Sequence, residues 1–113
     1  FAETMLRDHE AVNGKALALV SKLKVTPADN STSQALATQA KATETKLATL
    51  EGKAFDRAYV DNEVAFHRTV NDALKSTLIP SADNGELKAL LETGLALFGE
   101  HQAHAEHLAT RLR

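Results

Sequence analysis

The last segment of the chain has the feature that most constrains its fold, a row of small and apolar residues spaced alternately four and three positions apart. An α-helix has about 3.6 residues per turn, so this spacing places the whole row on one helical face. Such a face is stable only when it packs against other helices, and one member of the row is a histidine. The row consists of Leu87, Leu91, Gly94, Phe98, His101, Ala105, Leu108 and Leu112.

Three earlier segments have similar helical spacing, and the gaps between the segments contain Pro27, Gly52 and Pro80. Aromatic residues make up only 4% of the 113 residues, so a core must consist mainly of Leu, Ala and Val. Such a core favours closely packed helices. We therefore predict an all-α fold, an antiparallel four-helix bundle in a single domain of residues 1–113, with helices at about 1–24, 31–50, 53–78 and 85–112.

The predicted buried faces follow from the same spacing. In the first helix the face is Phe1, Met5, His9, Val12, Ala16, Leu19 and Leu23, and in the second it is Leu36, Ala40, Leu47 and Leu50. In the third it is Phe55, Tyr59, Val60, Val64, Phe66, Val70, Ala73, Leu74 and Leu78, with Glu63 and His67 among them.

Residues near the gaps predict where the helices begin and end. Ser31 and Gln34 have the spacing of a capping box at the start of the second helix. Gly52 is expected to end that helix in the left-handed conformation, which makes the second and third helices antiparallel neighbours. Asp83 with Glu86 predicts a cap for the fourth helix.

Charge and composition exclude several classes of protein. The formal net charge is −2 with acids and bases interspersed, so no basic stripe is present for nucleic acid. No apolar run approaches the roughly 20 residues of a membrane span. Cysteine is absent, which excludes disulfides and thiolate metal sites. Because the chain opens on Phe1-Ala2 within a helical pattern, we expect a signal, a tag or another helix upstream.

Polar residues on the predicted core faces converge at one height of the bundle. With a rise of about 1.5 Å per residue, His9 lies about 12 Å above the start of its helix and Glu63 about 15 Å above the start of the third. The descending fourth helix places His101 at about 17 Å and His104 at about 12 Å. Imidazole and carboxylate ligands suit zinc, nickel, copper or iron. The candidate ligands for such a divalent metal are His9, Glu63, His67, His101 and His104.

Other interpretations of this layer remain open. His9 is equally well explained as a core histidine paired with Glu63 or with a backbone carbonyl. Asp8 points mostly away from the core, but it is a possible acceptor for a histidine on another helix. His107 is expected at the surface. The chain has no Glu-x-x-His or His-Glu-x-x-His motif, no phosphate loop and no nucleophile elbow, so no catalytic residue is assigned.

Two stretches resemble a family of exported bacterial proteins. They are Phe1-Ala2-x-x-Met5-Leu6-x-Asp8-His9 and Leu50-x-Gly52-x-x-Phe55-Asp56-Arg57-Ala58-Tyr59-Val60. The family is a domain of unknown function often labelled "predicted outer membrane protein", with a ferritin-like helical fold. The resemblance implies export to the periplasm or cell envelope, a helix before Phe1, and functional positions at Asp8-His9, His67 and His101. It implies no activity.

Two functions follow as expectations. The first is an exported helical bundle that binds a divalent transition metal through its histidine-rich layer. The second is a non-catalytic structural or interaction module of the cell envelope, which pairs with another copy or with a partner helix, and in which the histidines are only polar groups of the core.

Overall fold

The computed structural model describes residues 1–113 and contains four helices of 17 to 27 residues and no strand. The prediction of an all-α helical bundle is confirmed. No helix is both long enough and apolar enough to cross a membrane. The helices are α1 (Ala2–Leu23), α2 (Ser31–Leu47), α3 (Gly52–Ala73) and α4 (Gly85–Arg111), and α3 is extended by a π-helical segment (Leu74–Leu78) and a short turn of helix (Ile79–Ser81).

The antiparallel pair of α3 and α4 is the centre of the bundle. Arg68 donates to Glu106, and one turn further along α3 Asn71 donates to Gln102, so the two helices run in opposite directions. α1 packs against α4, whereas α2 packs against α3 alone. Between α2 and α3, the Thr43 hydroxyl donates to the side-chain oxygen of Asn62. The second and third helices are therefore antiparallel neighbours, as predicted.

The core is small and lies mostly between α3 and α4. Ala105 is 0% exposed and Ala109 is also buried, and such small side chains let two helix backbones approach closely. The other buried residues are Met5, Val60, His67, Asn71, Leu74, Gly94 and His101.

Several residues of the predicted apolar faces are exposed. Phe55, Phe66, Leu78 and Leu87 each keep between 36% and 47% of their accessible surface, and Ala40 is also exposed. Periodicity identifies the face of a helix but not how far a neighbouring helix covers it. Because α2 contains no buried residue, it leaves much of the adjoining face of α3 in contact with solvent.

Both predicted helix caps lie one residue from the expected position. At the start of α2, Asn30 accepts from the backbone N–H of Ser33, whose hydroxyl accepts from the backbone N–H of Asn30. At the start of α4, Asn84 rather than Asp83 accepts from the backbone N–H of Leu87. Asn, Asp and Ser cap helices almost equally well, so residue type alone does not show which of two neighbouring residues is the N-cap.

Gly52 has the expected left-handed conformation, with φ 56°, but it begins α3 and does not end α2. α2 already ends at Leu47, before the predicted end at residue 50, and residues 48–51 link the two helices. The left-handed backbone of Gly52 therefore lies at the end of the link, where the chain enters α3, and not at the end of α2.

The predicted break over residues 79–84 is present but shorter than expected, because the helix continues to Ser81 through the π-helical segment. In an α-helix the ring of Pro80 would meet the carbonyl of Ser76. Here the backbone N–H of Ile79 donates to Leu74, five residues back, which widens the turn just before the proline. The chain leaves helical geometry only at Ala82, whose backbone is extended.

We predict that Ala105→Leu lowers the free energy of unfolding by about 1–3 kcal/mol, because the added methylene groups overfill the α3–α4 interface. Urea denaturation followed by circular dichroism measures this change. Ala103→Leu, an identical change at an exposed position of the same helix, is the control and should stay within about 0.5 kcal/mol of the wild type. Equal effects of the two substitutions would contradict the assigned core.

We also predict that α2 opens before the other helices, because it buries no residue and packs against α3 alone. Hydrogen exchange of the native protein followed by mass spectrometry should show the fastest exchange in peptides from Ser31–Leu47. Peptides from the middle of α3 and α4 serve as the internal reference. Equal protection of α2 and α4 from hydrogen exchange would contradict the prediction that α2 opens first.

Candidate metal centre

The bundle brings three of the predicted ligands together, one from each of three helices. His9 lies on α1, His67 on α3 and His101 on α4, and their ring centroids are 5.2 to 5.8 Å apart. One ring nitrogen from each histidine lies within 4.8 Å of the other two. His67 is 3% exposed and His101 4% exposed, whereas His9 is partly open to solvent.

Each imidazole has one nitrogen held by an acceptor outside the cluster. Nδ1 of His9 donates to the carbonyl of Met5 over 2.7 Å, and Nδ1 of His67 donates to the carbonyl of Glu63 over 2.8 Å. In both cases the acceptor lies four residues earlier on the same helix. Nε2 of His101 donates to Oδ2 of Asp8 over 2.7 Å. A neutral imidazole has one N–H and one lone pair, so the remaining nitrogen of each ring has the lone pair.

Two of the three remaining nitrogens lack a donor from the protein. Nε2 of His67 and Nδ1 of His101 are buried and have no hydrogen-bond partner. A buried polar atom without a partner costs about 1–3 kcal/mol, and most such atoms in folded proteins are paired. Two unpaired imidazole nitrogens beside a third imidazole therefore form a set of donors that suits a cation.

The donor set fits a transition metal. With Zn–N bonds of 2.0–2.1 Å, the nitrogens of a tetrahedral site lie about 3.3 Å apart. The nitrogens here lie within 4.8 Å, so binding requires them to approach by at most about 1.5 Å. Phe98 stacks on His9, with centroids 5.2 Å apart, and forms an apolar wall of the cluster. Three protein ligands leave a fourth position for water or another ligand.

Glu63 lies beside the cluster and is not one of its three donors. Its Oε2 is 3.4 Å from Nδ1 of His67, the nitrogen that donates to the backbone carbonyl of Glu63. Burial raises the pKa of the Glu63 carboxyl above its ordinary value, although nearby His9 and His101 act in the opposite direction. Glu63 also lines a groove of about 340 Å³ between α2 and α3.

His104 lies outside the cluster although its height is correct. It is exposed, and its ring packs edge-on against Phe1 with centroids 5.1 Å apart. Height along the bundle says nothing about rotation around the helix axis, and His104 follows His101 by three positions on α4, which is less than one full turn. His107 is exposed, as predicted.

Two further polar residues lie near the site: Asp8, which was predicted as a possible acceptor for a histidine on another helix, and Asn71, which was not predicted. Asp8 accepts from His101, and this hydrogen bond, followed by the one from Arg7, holds the pKa of the Asp8 carboxyl below its ordinary value. Asn71 is buried one turn after His67 and donates to the carbonyl of Phe98 and to Gln102. Its position on the same face as Val60 and His67 was the available indication in the sequence.

We predict that the metal-free protein loses stability as the pH falls below about 6.5, the ordinary pKa of histidine. Burial lowers the pKa of His67 in the folded state, and the carbonyl of Glu63 only partly offsets this effect. The unfolded chain therefore binds a proton at a pH where folded His67 does not, so acidification favours unfolding down to the folded pKa.

Urea denaturation with chelator between about pH 5.5 and 7.5 measures this dependence. His67→Gln should flatten the slope of unfolding free energy against pH, whereas His107→Gln, at an exposed position, should keep it. An unchanged slope in His67→Gln would contradict the prediction.

Comparison with known proteins identifies the family of the chain. Neither a curated protein nor a solved structure matches it. Residues 1–108 match a family described as a domain of unknown function, DUF4142. This match covers almost all of the bundle, including all three clustered histidines, and agrees with the resemblance to a family of unknown function. The chain is therefore a member of the DUF4142 family.

Proposed function

We propose that this protein binds a divalent transition metal through His9, His67 and His101. The observation that supports the proposal is the pair of buried imidazole nitrogens, Nε2 of His67 and Nδ1 of His101, that have no hydrogen-bond partner and lie beside His9. The opposite nitrogen of each ring donates to an acceptor. Ligating histidines in metalloproteins have this arrangement, in which an outer acceptor fixes the ring and its tautomer.

The ligand chemistry narrows the choice of metal. Neutral imidazoles suit zinc, copper, nickel and iron, and among these ions affinity generally increases from iron to copper and then falls at zinc. The absence of cysteine removes thiolate ligands. A site with three histidines holds such an ion and leaves one position for an exchangeable ligand. The proposal assigns binding and no reaction.

The proposal also includes the cellular location of the protein and the type of its helical bundle. The resemblance of Phe1-Ala2-x-x-Met5-Leu6-x-Asp8-His9 to exported bacterial proteins supports a role in the periplasm or cell envelope, on a ferritin-like bundle.

We predict that zinc raises the melting temperature of the chelator-treated protein, because a ligand that binds only the folded state stabilises it. At a free zinc concentration of 100 times the dissociation constant, the gain is about 2.7 kcal/mol. Differential scanning calorimetry and isothermal titration calorimetry measure stability and affinity, and nickel and copper are tested in parallel.

His67→Gln and His101→Gln should abolish the stabilisation, whereas His104→Gln and His107→Gln should keep it, because these two histidines are exposed outside the cluster. If none of the three metals binds more tightly than about 10 μM, corresponding to roughly 7 kcal/mol, the proposed site is wrong.

The second candidate function is an interaction module, and one observation favours it. Leu6 and Leu17 of α1 are 65% and 68% exposed. They are three helical turns apart and therefore lie on one face of α1. Light scattering of the wild type and of Leu6→Glu/Leu17→Glu tests this function. A wild type that is strictly monomeric at high concentration would count against association through this face.

A further inference from the structure

One of the three histidines is held by a contact between helices, whereas the other two are held by their own helices. His9 and His67 donate to carbonyls four residues earlier, so their orientation is a local property of α1 and α3. His101 of α4 instead donates its Nε2 proton to Oδ2 of Asp8 on α1 over 2.7 Å. The side chain of Asp8 is 17% exposed, so solvent competes little for this hydrogen bond.

The contact determines which nitrogen of His101 faces the other imidazoles. The carboxyl group of Asp8 is ionised near neutral pH and only accepts hydrogen bonds. The ring nitrogen facing Asp8 must therefore have the proton, and Nδ1 must have the lone pair. Nδ1 is buried and has no partner in the protein. In the other tautomer, with the proton on Nδ1, the ring would direct an N–H toward the other histidines and leave Oδ2 of Asp8 without a donor from His101.

We propose that Asp8 is the positioning residue of the metal site, because its carboxylate holds the Nε2 proton of His101 and presents the Nδ1 lone pair to the metal. This inference rests on the proposed metal binding. Asp8 does not ligate the metal, and it acts only through His101. A carboxylate partner also makes an imidazole a more basic ligand, and loss of such partners typically weakens metal binding by a factor of about 10–100.

The position of Asp8 next to His9 gives the site a further property. His9 is itself a ligand in the proposed site, and its neighbour Asp8 orients the ligand His101 on α4. α1 makes its backbone contacts with α4 alone, so the Asp8–His101 hydrogen bond is a main polar connection of this helix near the site. Metal binding and the docking of α1 are therefore coupled through one pair of neighbouring side chains.

The first test measures zinc affinity by competition with a chromophoric chelator in Asp8→Asn and Asp8→Ala. Asn keeps a neutral oxygen acceptor of the same shape, so it should lose roughly tenfold in affinity, and Ala, without an acceptor, should lose up to about a hundredfold. Glu10→Gln is the matched control, because it removes one charge from an exposed position of the same helix, and its affinity should equal that of the wild type.

The second test uses the metal-free protein and does not depend on metal binding. Nitrogen-15 NMR of the imidazoles should show a slowly exchanging proton on Nε2 of His101 in the wild type and in Glu10→Gln. This proton should exchange quickly in Asp8→Ala. A purely structural role of Asp8 would lower the melting temperature of metal-free Asp8→Ala but leave the zinc affinity of the folded protein unchanged.

The outcomes separate this inference from the proposed function. A wild type that binds no metal would overturn the proposed function, and the NMR measurement would still report whether Asp8 holds the Nε2 proton. Equal zinc affinities of Asp8→Ala and Glu10→Gln, both shown to be folded by circular dichroism, would overturn the positioning role. An Nε2 proton whose exchange is the same in the wild type and in Asp8→Ala would also overturn it.

Discussion

The close antiparallel packing of α3 against α4 is the interaction on which the rest of the bundle depends. Ala105 and Ala109 leave room for the two backbones to approach, and Asn71 links the helices through the carbonyl of Phe98 and the side chain of Gln102. The helices α1 and α2 add to this pair from different sides, since α1 packs on α4 and α2 on α3. The pair also places His67 and His101 in the protein interior, where an unpaired polar atom is costly.

Burial of these histidines gives the cluster its chemical character. The outer nitrogens of His9 and His67 are satisfied by their own helices, so their lone pairs remain available on the inner side. A metal ion bound there would join α1, α3 and α4 at a single point. That connection matters in a bundle with few buried residues, because binding free energy would add directly to the stability of the fold.

The side of the bundle formed by α2 is more loosely packed than the side formed by α3 and α4. α2 buries no residue, and Thr43 makes its polar contact with α3 through Asn62. The groove between these helices reaches Glu63, whose carboxyl group lies next to His67 but outside the ring of donors. The packing of α2 on α3 therefore limits solvent access to Glu63.

The sequence by itself determined the helices, their apolar faces and the common height of His9, His67 and His101, because residue spacing fixes positions along and around a single helix. It did not determine how each helix is rotated against its neighbours. That rotation results from the packing of all apolar side chains together, and it directs His104 toward Phe1 and Glu63 to the outer side of His67. The pairing of Asp8 with His101 joins residues 93 positions apart, so only the tertiary structure decided which nitrogen of His101 faces the site.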